Sequence, residues 1–350
     1  MSKGDPQHSH LAESRPRAVD LMDALASCEL SAVSLMQKTY DRIAQENPRI
    51  NAICTLVPLE QSLEAAQRVD DARHQGQKLP GLAGLPLAIK DLADTRGVLT
   101  TQGSPIYAQH VPDVDSLFVS RLRAAGGIII GKTNTPEFGA GSHTFNPLFG
   151  VTRNPYDTLK TAGGSSGGAA AALASGMVAL ADGSDMGGSL RNPAAFCNVV
   201  GLRPTMGRVP TLPKAKETFS RMAVEGPMAR TVEDCAAMLR IMAGADSRDP
   251  RSLDLGALPS TPALTDAPKN LRLGWAPNPA GLPIEPSVLS VLSGAVTAMQ
   301  NLYPTIDEID LCELNGAMVS IISSTKITFF PLTSPMSSMC EITLAFFLCL

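Results

Sequence analysis

The chain has 350 residues, 44% of them hydrophobic and 18% charged, with 29 glycines, so it can bury a large core as one big α/β domain or two smaller ones. A net charge of −4 and a pI near 5.8 remove any electrostatic reason to expect a nucleic acid or an anionic membrane surface as partner. Seven cysteines, at 28, 54, 197, 235, 312, 340 and 349, are odd in number and contain no C-x-x-C pair, which argues against a disulfide framework and a zinc ribbon.

Residues 1–16 are polar and are expected to be frayed. The first thirty carry Asp5, Glu13 and Asp20 and no apolar run flanked by basic residues, so no secretory signal is expected and the cytoplasm is the expected location. From Ser31, SAVSLMQKTYDRIAQEN places Val33, Leu35, Met36, Tyr40 and Ile43 on one side of a predicted helix. A second helix is predicted over Leu59–Gln75. After a loop from Gly81 to Pro86, LAIKDL reads as a buried strand. SLFVSRLRAAG predicts a helix capped by Gly126, and GIIIGKTN a strand whose β-branched run suits burial on both faces. Ser166–Ala181, almost wholly Gly, Ala, Ser and Leu, predicts one closely packed helix. Pro193 fits the first turn of another, running into AAFCNVVG. Glu233–Ala243 predicts an amphipathic helix; LRLGWAP, Pro286–Leu302 and TIDEIDL read as strand, helix, strand. This alternation predicts an α/β fold with helices on both faces of a sheet.

The texture changes after Gly316. From 317 to 350 only Lys326 and Glu341 are charged, and Phe329, Phe330, Phe346 and Phe347 crowd the end. Pro331 and Pro335 break the run short of the roughly 18–20 apolar residues a membrane helix needs, so no membrane partner is expected. Two readings of 316–350 stay open: an aberrant hydrophobic tail foreign to the preceding domain, or a hydrophobic packing tail.

Three short patterns point to other chemistry and fail on context. GGIIIGKT, Gly126–Thr133, satisfies the Walker A expression, but its variable positions include Ile128, Ile129 and Ile130 and Pro136 follows, which suits a core strand and not exposed amides leading into a helix. GGSSG, Gly163–Gly167, satisfies G-x-S-x-G, but that triad needs a histidine downstream, and all five histidines (8, 10, 74, 110, 143) precede Ser165. Ser323–Lys326 matches S-x-x-K without any supporting motif.

A serine hydroxyl is a poor nucleophile unless a base takes its proton. With histidine badly placed, a lysine must serve, and only a neutral lysine accepts a proton. Leu85, Leu87, Ile89 and Leu92 flank Lys90 and would strip it of water, lowering its pKa. A lone lysine after a strand is ordinarily a snorkelling or salt-bridged residue; what sets Lys90 apart is the stretch from Gly163 to Arg191. That stretch is embedded in Ala, Leu, Val and Met, unlike a Gly-Ser linker. Successive N–H groups of a glycine turn such as Met186–Ser189 can converge on one developing negative charge.

GGSSGG and GSDMGGSLRNPA resemble the amidase signature family of serine hydrolases at nearly every defining position. GKTNTPEFGAGSHTFNPLFGVTRNPYD, GLRPTMGRVP and VEGPMARTVEDCAAML resemble its flanking segments. The resemblance runs from about residue 20 to 245, weakens to about 311 and is absent beyond 316. It implies the amidase signature fold, a mixed β-sheet core covered by helices on both faces. It also implies a triad of Lys90 as base, Ser165 as relay behind a non-proline cis peptide, and Ser189 as nucleophile. The oxyanion hole would lie at Met186, Gly187, Gly188 and Ser189, the acyl pocket near Gly139 and Ala140, with Asp185 and Arg191 bracing the loop. Neither metal nor cofactor is implied. The expected partner is a small-molecule amide, hydrolysed to the acid and ammonia or an amine, with a homodimer as an open assembly state.

Family members are usually longer, and their C-terminal third completes the sheet and walls the acyl pocket. The amidase domain at 17–315 is therefore expected to be incomplete at its C-terminal end, and the chain to fold poorly or turn over only small amides. Two other roles stay open: the amidase subunit of a tRNA-dependent amidotransferase, which shares the triad, and a truncated inactive homologue. GRVPTLPKAKETF looks more like a free-standing amidase.

Overall fold

The first two helices of this chain start under carboxylates and hydroxyls that take the otherwise unpaired N–H groups. At α1 (Ala18–Ala26), Val19 N donates to Asp234 Oδ1 at 2.9 Å. At α2 (Ala32–Ile50), Ser34 N donates to Ser31 Oγ at 3.1 Å, while Ala32 N and Val33 N donate to the Asp70 carboxylate. α2 runs past the expected stop near Asn47, through Pro48, to a left-handed Asn51 with φ 57°. Beyond the helix end Asn47 Oδ1 accepts Ala52 N and Ile53 N at 2.8 and 2.9 Å, which holds the chain as it turns into the next strand.

The computed structural model describes residues 15–212, 222–254, 256, 258, 273–277 and 283–309. The expectations for 1–14 and for 316–350, Ser323–Lys326 included, lie outside the described residues. Of the segment expected to be frayed, Arg15 and Pro16 are docked: Arg15 Nη1 donates to Ala174 O, and Pro16 O accepts from Arg230.

After α2 come β1 (Ile53–Leu56), α3 (Leu59–His74), β2 (Pro86–Lys90), α4 (Leu117–Ala124) and β3 (Ile128–Thr133). A short hairpin, β4 (Phe145–Asn146) and β5 (Gly150–Val151), leads to α5 (Gly167–Ala174), β6 (Leu180–Asp185), α6 (Arg191–Phe196), β7 (Val200–Gly201), β8 (Val224–Ala229) and α7 (Val232–Met242). β9 (Leu273–Trp275), α8 (Pro286–Gln300) and β10 (Ile306–Glu308) follow, the two strands paired in parallel. None of the helices among the described residues is long and apolar enough to cross a membrane.

The main sheet has the order β1-β3-β2-β6-β8-β7. β3, β2 and β6 run parallel; β1, β8 and β7 pair antiparallel on the flanks, so the α/β sheet is mixed. Every residue of β2 is buried, and successive strand side chains point to opposite faces, so the sheet is covered on both. α5 lies across it, touching β1, β2, β3, β6 and β8; α7 packs on β6, β7 and β8 with α1 and α4 beside it; α2 and α3 pack together and reach β2 and β3. β8 escapes a reading by propensity because VEGPMA contains Gly226 and Pro227. Pro227 still serves the ladder through its carbonyl, which accepts Leu202 N at 3.1 Å.

The single helix expected over Ser166–Ala181 is two elements. Ser175 Oγ turns back to Ala171 O at 2.6 Å, Gly176 adopts φ 74°, and the chain re-enters the sheet as β6. Small apolar side chains carry no period by which to see that break; Gly176 is its one sign. The small residues of α5 are there for approach: a Cβ on Gly168 would strike the backbone of Asn134 and come within 2.7 Å of Ala52 O. α6 begins before Pro193 and stops at Phe196, short of the expected AAFCNVVG, with Asn198 at φ 52°.

Candidate active site

β2 ends at Lys90, α5 begins just after Ser165 and Ser166, and β6 ends at Asp185, immediately before the turn that carries Ser189. Because β2 and β6 are parallel, their carboxyl ends share one edge of the sheet, where open α/β sheets place their ligands.

Lys90 is 1% exposed. Its Nζ lies 2.7 Å from Ser165 Oγ, 2.9 Å from Ser166 Oγ and 2.9 Å from Ser184 Oγ. Burial pushes its pKa from 10.5 down to about 8, against the attraction of Glu225, Asp182 and Asp185. The neighbours fix the direction of these bonds. Ser166 Oγ donates to Ser184 O at 3.4 Å and accepts Ser184 N at 3.3 Å, so towards Lys90 it is an acceptor. A neutral amine has two N–H groups and one lone pair. If such an amine donates to Ser184 as it does to Ser166, its lone pair faces the Ser165 hydroxyl.

Ser165 is 2% exposed and follows a cis Gly164–Ser165 peptide bond. Thr144 clamps this turn: its Oγ1 donates to Gly163 O at 2.8 Å and accepts Gly167 N at 3.1 Å. Gly164 lies flat on the chain before Thr144, where a Cβ would come within 2.9 Å of His143 N.

The Ser189 turn is tied to the same place by Ser166 N, which donates to Ser189 O at 3.2 Å. No hydrogen bond joins the hydroxyls of Ser165 and Ser189 among the described residues. Lys90 and Ser165 are thus in bonding contact, while Ser189 is brought alongside through its backbone. Catalytic hydrogen bonds are often loose in a resting site and tighten around substrate.

Asp185 organises the turn from below. Its carboxylate accepts Gly188 N at 2.8 Å and Leu190 N at 3.2 Å, and Arg191 closes on both oxygens at 2.9 and 3.0 Å. Arg203 Nη1 donates to Asp185 O at 3.0 Å. Burial alone would raise this carboxyl; the hydrogen bonds and charge of Arg191, with Gly188 N–H and Arg203, hold it below the usual carboxylate range. The family resemblance groups Gly188 N–H with the oxyanion donors, but the buried carboxylate captures it. That leaves the N–H groups of Met186, Gly187 and Ser189 without an acceptor among the described residues.

Gly139, at φ 71°, sits against Leu92, just beyond Lys90: a Cβ there would come within 2.5 Å of Leu92 Cδ1. Ala140 is exposed, and the chain then passes His143 to reach Gly164. Gly139 and Ala140 therefore lie beside the strand end that carries Lys90. Sequence reasoning misses Ser166, Ser184, Thr144, Asp182 and Arg203. Ser166 and Ser184 do leave a signal, since a buried amine needs partners for each hydrogen and the two serines lie inside GGSSGG and GSDMGGSLRNPA. The Walker-like segment is the core strand β3: Lys132 is fully buried and donates to Ala93 O at 2.5 Å and Thr95 Oγ1 at 2.7 Å.

A family model described as Amidase matches residues 34–330. A glutamyl-tRNA(Gln) amidotransferase subunit from Desulfatibacillum aliphaticivorans is 44% identical over 252 residues, covering 72% of this chain and 51% of the relative; subunits of the same name from other bacteria match at 38–41% identity. An acylamidase of Rhodococcus erythropolis is 41% identical over 291 residues, 83% of this chain and 61% of that one. Among solved structures, a bacterial aryl acylamidase of the amidase signature family superposes with a TM-score of 0.80 at 31% identity, over 86% of this chain and 62% of that chain. The chain thus spans about half to three-fifths of the length of these relatives.

Proposed function

Because the chain belongs to the amidase family, a class of amidase-signature hydrolases, we propose that Ser189, Ser165 and Lys90 cleave a carboxamide through an acyl-enzyme on Ser189. The observation that carries this reading is the 2.7 Å contact of a buried, pKa-lowered Lys90 with Ser165, beside the Ser189 turn.

Neutral Lys90 takes the Ser165 proton as Ser165 takes that of Ser189, whose Oγ bonds to the amide carbon. The carbonyl oxygen becomes an oxyanion, met by the N–H groups of Met186, Gly187 and Ser189. The C–N bond then breaks as the relay returns a proton to the departing nitrogen. Water enters, loses a proton to the relay, and attacks the ester; Ser189 recovers its proton as the carboxylic acid leaves. Asp185 and Arg191 keep the turn in shape without touching substrate.

Two roles fit this chemistry. The identities to glutamyl-tRNA(Gln) amidotransferase subunits favour the amidase subunit of a tRNA-dependent amidotransferase, whose amide would be glutamine and whose product ammonia would pass to a partner. The superposition on an aryl acylamidase favours a free-standing amidase, for which 3.5.1.4 chemistry on simple amides is the matching class. GRVPTLPKAKETF, read as a mark of the free-standing type, does not outweigh the first comparison, and residues 213–221 lie outside the described structure.

A fluorophosphonate probe tests the shared chemistry. Labelling that disappears in Ser189→Ala supports it; no labelling of the wild-type chain favours an inactive homologue. Glutamine hydrolysis that rises with a co-purifying tRNA-binding protein selects the first role, and turnover of aryl, aliphatic or peptide amides by the chain alone selects the second.

A further inference from the structure

Lys90 N–H and Asp91 N–H point to opposite edges of β2. Asp91 N meets a backbone carbonyl of β3, Thr133 O, at 3.0 Å. Lys90 N faces β6 and meets a side chain instead: Asp182 Oδ1 at 2.8 Å. The only registered pair of β2 and β6 is Ala88 with Ala181, so beyond it a carboxylate stands where the ladder would place a carbonyl. Asp182 is fully buried, this is its one side-chain hydrogen bond among the described residues, and its Oδ2 has no partner. Two positions along the same strand, Ser184 holds the other end of Lys90.

A buried carboxylate with a bare oxygen is costly unless a cation answers it. The Asp182 carboxyl stands raised to about 6 because burial outweighs what opposes it: the hydrogen bond from Lys90 N–H and the positive charges of the buried Lys132 and Lys90 nearby. The other titratable and charged groups around this cluster are Asp91 and Asp94 after β2, Cys54 on β1, Glu225 on β8 and Asp185 at the end of β6.

We propose that Asp182 is a positioning residue for Lys90. Its carboxylate fixes the Lys90 backbone in the gap between β2 and β6, and its charge, shared with Lys132, holds Lys90 closer to the ammonium form than the pocket otherwise would. The inference rests on the reading of Lys90 as the base, and it adds a residue that tunes when that base is available. Asparagine keeps the acceptor for Lys90 N–H and removes the charge. Less negative charge disfavours the ammonium, so Lys90 should release its proton at lower pH.

The test is an NMR titration of the full chain labelled at lysine Cε, with the Lys90 signal assigned by its loss in Lys90→Arg. In Asp182→Asn the proton affinity of Lys90 should fall about threefold or more, which is half a pH unit. Fluorophosphonate labelling at pH 6.5–7 should quicken by a similar factor. Asp182→Leu, which removes the acceptor too, should lose labelling that Asp182→Asn retains. If the variants do not fold, the wild-type Lys90 signal must still show a second inflection in the acid range as Asp182 takes up its proton. An unchanged Lys90 midpoint in Asp182→Asn, or a wild-type curve with no acid inflection, overturns the proposal. Wild-type Ser189 that resists the probe while Lys90 titrates as described would sink the amidase reading and leave only the part of the inference in which Asp182 holds Lys90 and sets its protonation.

Discussion

At the scale of single residues, the proposed chemistry requires one amine to be neutral while buried. With its pKa pushed to about 8, Lys90 accepts a proton only in the fraction that has lost one, and that fraction grows with pH. The expected kcat/KM rises about tenfold per unit below pH 8 and levels off above it; a profile flat from pH 6 to 9 would count against Lys90 as the base. Lys90→Met should lower kcat by several orders of magnitude with the fold intact by circular dichroism. Arg191 carries a different kind of weight. Arg191→Met leaves Arg203 to answer the buried Asp185, and should lower stability by about 3 kcal/mol in urea melts at pH 7. The folded pKa of Asp185 is depressed, so its stabilisation is present above the unfolded value of 3.8 and lost as pH falls through the folded one. The gap between wild type and Arg191→Met should therefore narrow below about pH 4.

At the scale of elements, α5 is the part that cannot move. It follows the Ser165–Ser166 pair, with Gly167 against the Thr144 side chain and Gly168 against backbone, so its position sets the Lys90–Ser165 contact. Gly168→Ala would drive a methyl into the Asn134 backbone and beside Ala52 O, and should destabilise the chain by about 1–3 kcal/mol while slowing probe labelling of Ser189. Gly187→Ala is the contrast: nothing lies within 4 Å of a Cβ there, so its melting midpoint should stay close to wild type. Equal losses in both variants would show that close approach is not what the glycine of α5 supplies. Elements with a clear period, such as α2 and α3, are legible in the sequence. α5 and β6 are not separable there, since Ala, Gly and Ser suit both geometries and burial is nearly complete in each.

At the scale of the molecule, stability is unevenly spread. β2 and α5 are buried along their whole lengths, whereas Leu292 is the one buried residue of α8. Hydrogen exchange should find α8 opening at a free energy well below that of β2 and α5, because few apolar contacts resist local unfolding there. Protection of α8 equal to that of β2 would mean that the sheet and α8 unfold as one unit.

Chemistry of a given type needs residues at fixed local spacing, and that part is written in the chain: the glycine turn around Ser189, the paired serines before α5, and the apolar bracket of Lys90. The family follows from those, and the α/β sheet from the alternation of predicted strands and helices. Tertiary structure decided what local spacing cannot carry. Lys90 meets Ser165 and Ser184 across separations of 75 and 94 residues, which only the placing of β2 beside β6 brings together. The same placing set the buried Asp182 against the Lys90 backbone across a separation of 92 residues, because a carboxylate shut away from water takes its hydrogen bond from whichever donor the fold sets nearest.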